Sequence, residues 1–221
     1  SAKGTTGSGI IGQSNGTTPS LTIDANNSSG GIYGVGAINK STTEGSTTKV
    51  TTNGLVEGGT AGIYAESSLN NLPFPGKTID ITVADNSLVR NLSRDSADLA
   101  IATTSGPTTL TNNGRIEGGV QLSPAPDATY VNTFDNYGTW STGGAASDFG
   151  TNATNTLNNY GTITAFNILN GVNSTTPTSS VVYNAGVVNN RGTIDMQNGV
   201  VGDVLTFAND GTGSFVGGAN S

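Results

Sequence analysis

A serine bracketed by glycines is the first place to look for chemistry. Residues 12–16 read GQSNG, the GxSxG pattern that presents a nucleophilic serine in many hydrolases. Such a serine needs a base to take its proton, and the chain has no histidine. Ser14 therefore reads as part of a Gly-rich turn. Paired carboxylates would serve glycoside hydrolysis, and the nearest pairs are Asp95 with Asp98 and Asp80 with Asp85. The first pair lies in RNLSRDSADL, where Arg90 and Arg94 stand ready to neutralise it. With no cysteine, thiolate catalysis, disulfides and Cys zinc sites are excluded. The expectation is a chain without a catalytic residue, cofactor or metal site.

Composition narrows the fold. Gly, Asn, Thr and Ser make up more than half of the 221 residues, while good helix formers are scarce. Charged residues are 10% and hydrophobic residues 33%, values a disordered chain would also show. The apolar residues, however, recur at fixed places within a repeated phrase, which disorder has no reason to maintain. The net charge is −7, and the eight Lys and Arg never form a run, so nucleic acid is a poor partner. No stretch is long and apolar enough for a membrane helix, and SAKGTTGSG is not a signal peptide, so the chain reads as a processed or truncated segment.

The phrase is TLTNNGRIEG at 109–118, TFDNYGTWST at 133–142, TLNNYGTITA at 156–165, VVNNRGTIDM at 187–196 and TFANDGTGSF at 206–215, with KVTTNGLVEG at 49–58 a looser copy. Aligned on Gly54, Gly114, Gly138, Gly161, Gly192 and Gly211, it reads apolar, x, Asn, x, Gly, Thr, apolar. Short strands meeting at an Asn-Gly corner fit it, because both residues tolerate a left-handed backbone. Between Gly54 and Gly114, Val83 to Val89 reads as a degraded copy with Ser87 in the glycine place. GGIYGVG at 30–36 echoes GGTAGIYAE at 58–66, setting Gly31, Ile32 and Tyr33 against Gly62, Ile63 and Tyr64.

Repeats of this length built from strands predict an all-β fold, a parallel β-helix of roughly ten coils over residues 1–221, with 1–20 and 212–221 irregular. Segments around Pro73 and Pro75, Pro124 and Pro126, and Pro177 read as protruding loops, because proline is excluded from central ladders. Stacking would bring Asn136, Asn159 and Asn190 into a side-chain ladder. It would also place Tyr137, Tyr160 and Arg191 in a file, a possible binding surface for sugar or peptide that also stabilises the stack. Trp140 falls on an inward position. Glu57, Glu117 and Asp195, each three residues after an aligned glycine, would face outward on separate coils and read as solvated charges.

The Asn-x-Gly-Thr-Ile phrase, the lack of cysteine and the stretch Asn189 to Gly218 resemble the passenger domain of a classical monomeric Gram-negative autotransporter. Such passengers often end on a GTI coil, a short NG turn, then GD followed by LT; here these are Gly192 to Ile194, Asn198-Gly199, Gly202-Asp203 and Leu205-Thr206. Gly213 and Ser214 depart from it, where the family tends to continue a strand. The resemblance implies a right-handed parallel β-helix, exported by a C-terminal β-barrel to the bacterial surface or the medium. It further implies a monomer without enzymatic activity that adheres to a host-cell protein or glycan, to matrix protein or to other bacteria, or else a secreted ligand for a host receptor. A polysaccharide-processing β-helix enzyme is the remaining alternative.

Overall fold

The computed structural model describes residues 2–3, 6–17, 20–67, 76–92, 99–122, 130–142, 146–164, 167–169, 181–183, 185–195, 201–202 and 206–216. Among these there is no helix, and every strand pairing is parallel, giving sheets of nine, nine and eight strands. The chain visits the sheets in turn, so the fold is a three-sided β-solenoid. Face 1 holds eight strands, from Ser20–Ala25 through Thr108–Asn112 and Thr156–Asn159 to Thr206–Asn209. Face 2, reached through the Asn-Gly corner, runs from Ala2–Lys3 to Ser214–Val216. Face 3 carries the longest strands, Ile10–Gly16, Tyr33–Ser41 and Ala61–Ser67. The loops predicted around Pro73, Pro75, Pro124, Pro126 and Pro177 lie outside the described residues.

Burial follows the repeat. On face 1 the file Ile23, Val50, Ile81, Leu110, Phe134, Leu157 and Val188 points inward and is buried. On face 2 the inward file is Val56, Val89, Ile116, Trp140, Ile163 and Ile194. Val35, Ile63, Ile101 and Val120 complete it from face 3. Trp140 packs against Phe134 and Phe149 in this core and donates its indole N–H to Gly118 O at 3.0 Å. A parallel stack needs only one apolar residue per strand per layer, so a chain with 33% hydrophobic residues still closes a core.

Several details depart from the sequence reading. Among the described residues nine strands stack on face 2 and eight on face 1, fewer layers than the ten coils expected, because coils vary in length: Phe207 stacks 19 residues after Val188, but Ile81 stacks 31 after Val50. Face 3 also takes two strands from one passage, in the order Ser147–Asp148, Val181–Tyr183, Asn167–Leu169, Val201–Gly202. Tyr33 is in register with Ala61, not Tyr64, because Val35 and Ile63 share the core position. Ser87 does stand in the glycine place, with Leu88 beside both Leu55 and Arg115. The last corner is two residues longer than its predecessors: Ser214 pairs with Thr193, so Gly213 occupies the corner and Gly211 projects from it.

The corner glycines are needed for closeness, not for a left-handed backbone. A Cβ on Gly138, Gly161 or Gly192 would lie 2.0 Å from the carbonyl oxygen of the preceding corner glycine. None of the three has a positive φ; among the described residues the glycines that do are Gly16, Gly45, Gly76, Gly118 and Gly150. Two successive N–H groups then converge on one carbonyl, as when Tyr160 and Gly161 both donate to Asn136 O at 2.8 and 2.9 Å. A side chain would push the coils apart and break both bonds.

Candidate functional site

The corner carries two files of side chains, one inside and one outside. Inside, Asn112 Nδ2 donates to Asn136 Oδ1 at 2.7 Å, Asn136 to Asn159 at 2.8 Å, Asn159 to Asn190 at 2.7 Å and Asn190 to Asn209 at 2.7 Å. Each amide also donates to a backbone carbonyl just past the next corner, such as Thr193 O from Asn159 at 3.0 Å. The predicted ladder is present and two members longer. Its first oxygen, Asn112 Oδ1, is buried without a hydrogen-bond partner, because Val83 occupies the layer before it.

Outside, one residue earlier in each strand, Asn158 Nδ2 donates to Asp135 Oδ1 at 2.7 Å and Asn189 Nδ2 to Asn158 Oδ1 at 2.8 Å. Beyond the corner, the rings of Tyr137 and Tyr160 stack at 4.7 Å and 6°. The Arg191 guanidinium lies 5.9 Å over Tyr160 and its Nε bonds Asp210 Oδ2 at 2.9 Å. Tyr137 and Tyr160 remain 52% and 39% exposed, so ring edges and hydroxyls meet solvent while the facing π surfaces cover each other. Desolvation, then Asp135 and Tyr160, raise the Tyr137 phenol above its ordinary range.

The three residues singled out in the sequence are thus brought together. Two of them, Tyr160 and Arg191, border a recess of about 440 Å³ lined also by Asn158, Asn189, Ala208 and Asp210 among others. The recess exists because Ala208, in register with Asn189, is too short to continue the outer file. Asp135, Asn158, Asn189 and Asp210 were missed as site residues. The signal for three of them was present: the column before the ladder asparagine reads Asp, Asn, Asn in DNYG, NNYG and NNRG. Asp210 was hidden by the longer last corner.

The other candidates separate. Ser14 is buried on the inward side of face 3, in register with Asn39, where no substrate reaches it. Asp95, Asp98 and Arg94 lie outside the described residues. Arg90 pairs across layers: its Nη2 lies 3.1 Å from Glu57 and its Nη1 3.8 Å from Glu117, which also meets Arg115 at 2.5 Å. Asp80 is half-buried beside Lys49; burial raises its carboxyl and Lys49 opposes the rise. Asp85 is exposed at a turn. No group of three or more His, Cys, Asp or Glu suited to a metal ion occurs among the described residues.

Two further polar groups shape face 3. Tyr64 donates its phenol to Glu66 Oε2 at 3.0 Å and stacks on Tyr33 at 4.7 Å. Burial first, then Glu66, push that phenol far above its ordinary value. Lys77 is buried and donates to Ser41 O at 2.6 Å; burial lowers its ammonium. Compared with family models, curated proteins and solved structures, the chain matches none.

Proposed function

We propose that the chain is a non-enzymatic passenger of the Gram-negative autotransporter kind, exposed on the bacterial surface or secreted. It adheres to a host-cell protein or glycan, to matrix protein or to other bacteria, and a C-terminal β-barrel carries it out. The observation that supports this most is the corner surface. Tyr160, Arg191, Asp210, Asn158 and Asn189 place donors and acceptors around one recess on a rigid stack, and none is a base poised beside a nucleophile. Surface ion pairs such as Arg191 with Asp210 add little stability, so their side chains can exchange partners with a ligand at small cost.

The test is binding to host cells and immobilised matrix proteins. Arg191→Ala together with Asn189→Ala should lower binding at least tenfold with the fold intact, whereas Ser14→Ala should leave it unchanged. Turnover of a glycan or ester by the unmodified chain, lost in Asp80→Asn, would replace this reading with an enzymatic one.

A further inference from the structure

We propose that Tyr137 and Tyr160 form a covalent modification site, at which hydrogen peroxide and a one-electron oxidant of the haem-peroxidase class join two adjacent coils through a dityrosine bond. This goes beyond the adhesive reading and does not depend on it. The two rings occupy equivalent corner positions: Tyr137 N donates to Asn112 O at 2.7 Å and Tyr160 N to Asn136 O at 2.8 Å. Equivalent backbones project equivalent side chains, so the rings lie parallel, 4.7 Å apart and 6° from coplanar. Beneath them the Asn136 to Asn159 bond locks the two coils in register. A radical on one ring therefore meets the other before it meets another molecule.

The chemistry balances without a group from the protein. Each phenol gives up one electron and one proton, leaving two tyrosyl radicals. These join through one ring carbon beside each oxygen, and the hydrogen on each joined carbon then returns to its oxygen. The two electrons and two protons reduce one hydrogen peroxide to two waters. Access favours this pair, because both rings are exposed while Trp140 is buried. The chain has no cysteine, so no disulfide can join its coils and no thiol competes for the oxidant.

The Tyr33 and Tyr64 stack provides an internal comparison. Its rings are also 4.7 Å apart, but they come from staggered positions, Tyr33 level with Ala61 and Tyr64 with Gly36, and Tyr64 is held by Glu66. Treating the whole chain with a haem peroxidase and limiting hydrogen peroxide should yield a monomer lighter by two hydrogens, with dityrosine fluorescence. Peptide mapping should place the link between Tyr137 and Tyr160. Tyr160→Phe keeps a ring in the stack and its melting curve should be unchanged, yet product should fall more than tenfold. Absence of product, product mainly linking separate molecules or joining Tyr33 to Tyr64, or product undiminished in Tyr160→Phe would each overturn the proposal.

Discussion

At the scale of single residues, the inner asparagines are structural because each amide satisfies an otherwise buried partner. Asn159→Ala removes the bonds to Asn190 and Thr193 and takes from Asn136 its side-chain acceptor, which should cost about 1 to 3 kcal/mol. Asn53→Ala, at an exposed corner position, should cost almost nothing in the same denaturant titration. The orphaned Asn112 Oδ1 leads to a sharper expectation. Val83→Asn would place a donor in the layer before it, so it should destabilise less than Val89→Asn, which buries an amide between Val56 and Ile116 at a cost of about 1 to 3 kcal/mol. Equal losses at 83 and 89 would mean the ladder cannot be extended. Among the glycines, Gly161→Ala should cost about 1 to 3 kcal/mol or more by forcing coils apart. Gly211→Ala should be nearly neutral, since nothing lies within 4 Å of its added Cβ.

At the scale of the strand and corner, pH acts on face 3 through a half-buried phenol. The Tyr64 phenol ionises near its ordinary value of 10.0 in the unfolded chain but stays protonated in the fold, held by burial and Glu66. Above that value the unfolded state has given up a proton that the folded state retains, so stability falls as pH rises. Tyr64→Phe should flatten the loss when melting is followed from pH 9 to about 11, and an unchanged slope would assign it elsewhere. Much of this level was legible in the sequence: the Asn-Gly corner, Ser87 as a stand-in for glycine, and the inward place of Trp140 all follow from local spacing. What escaped depends on register between coils. Arg90 finds Glu57 and Glu117 only because three coils of unequal length align, and the last corner hides its two extra residues behind a second glycine, Gly213. The role of the corner glycines was misjudged for the same reason, since the carbonyl that excludes a side chain belongs to the preceding coil.

At the scale of the whole molecule, each layer contacts mainly its neighbours, so stability should vary along the stack as it does in other solenoids. Thr206–Asn209 is exposed throughout, whereas Leu157 and Asn159 are buried between layers on both sides. Hydrogen exchange should be slow at Leu157 and Asn159 and fast at Phe207 and Ala208, and uniform protection would contradict a layer-by-layer ledger. Such a stack also has an electrical direction. The four links of the inner ladder run head to tail, each donor amide facing the coil that follows, while the two outer links run the opposite way and end on the Asp135 carboxylate. Turning one inner amide around would set N–H against N–H on one side and oxygen against oxygen on the other. The ladder is therefore polarised as a unit, and its opposing outer file delivers positive amide ends to a carboxylate at one extremity and an amide oxygen to the recess at the other. The recess thus receives a field assembled three coils deep, which a ligand would feel at Asn189 without touching Asp135.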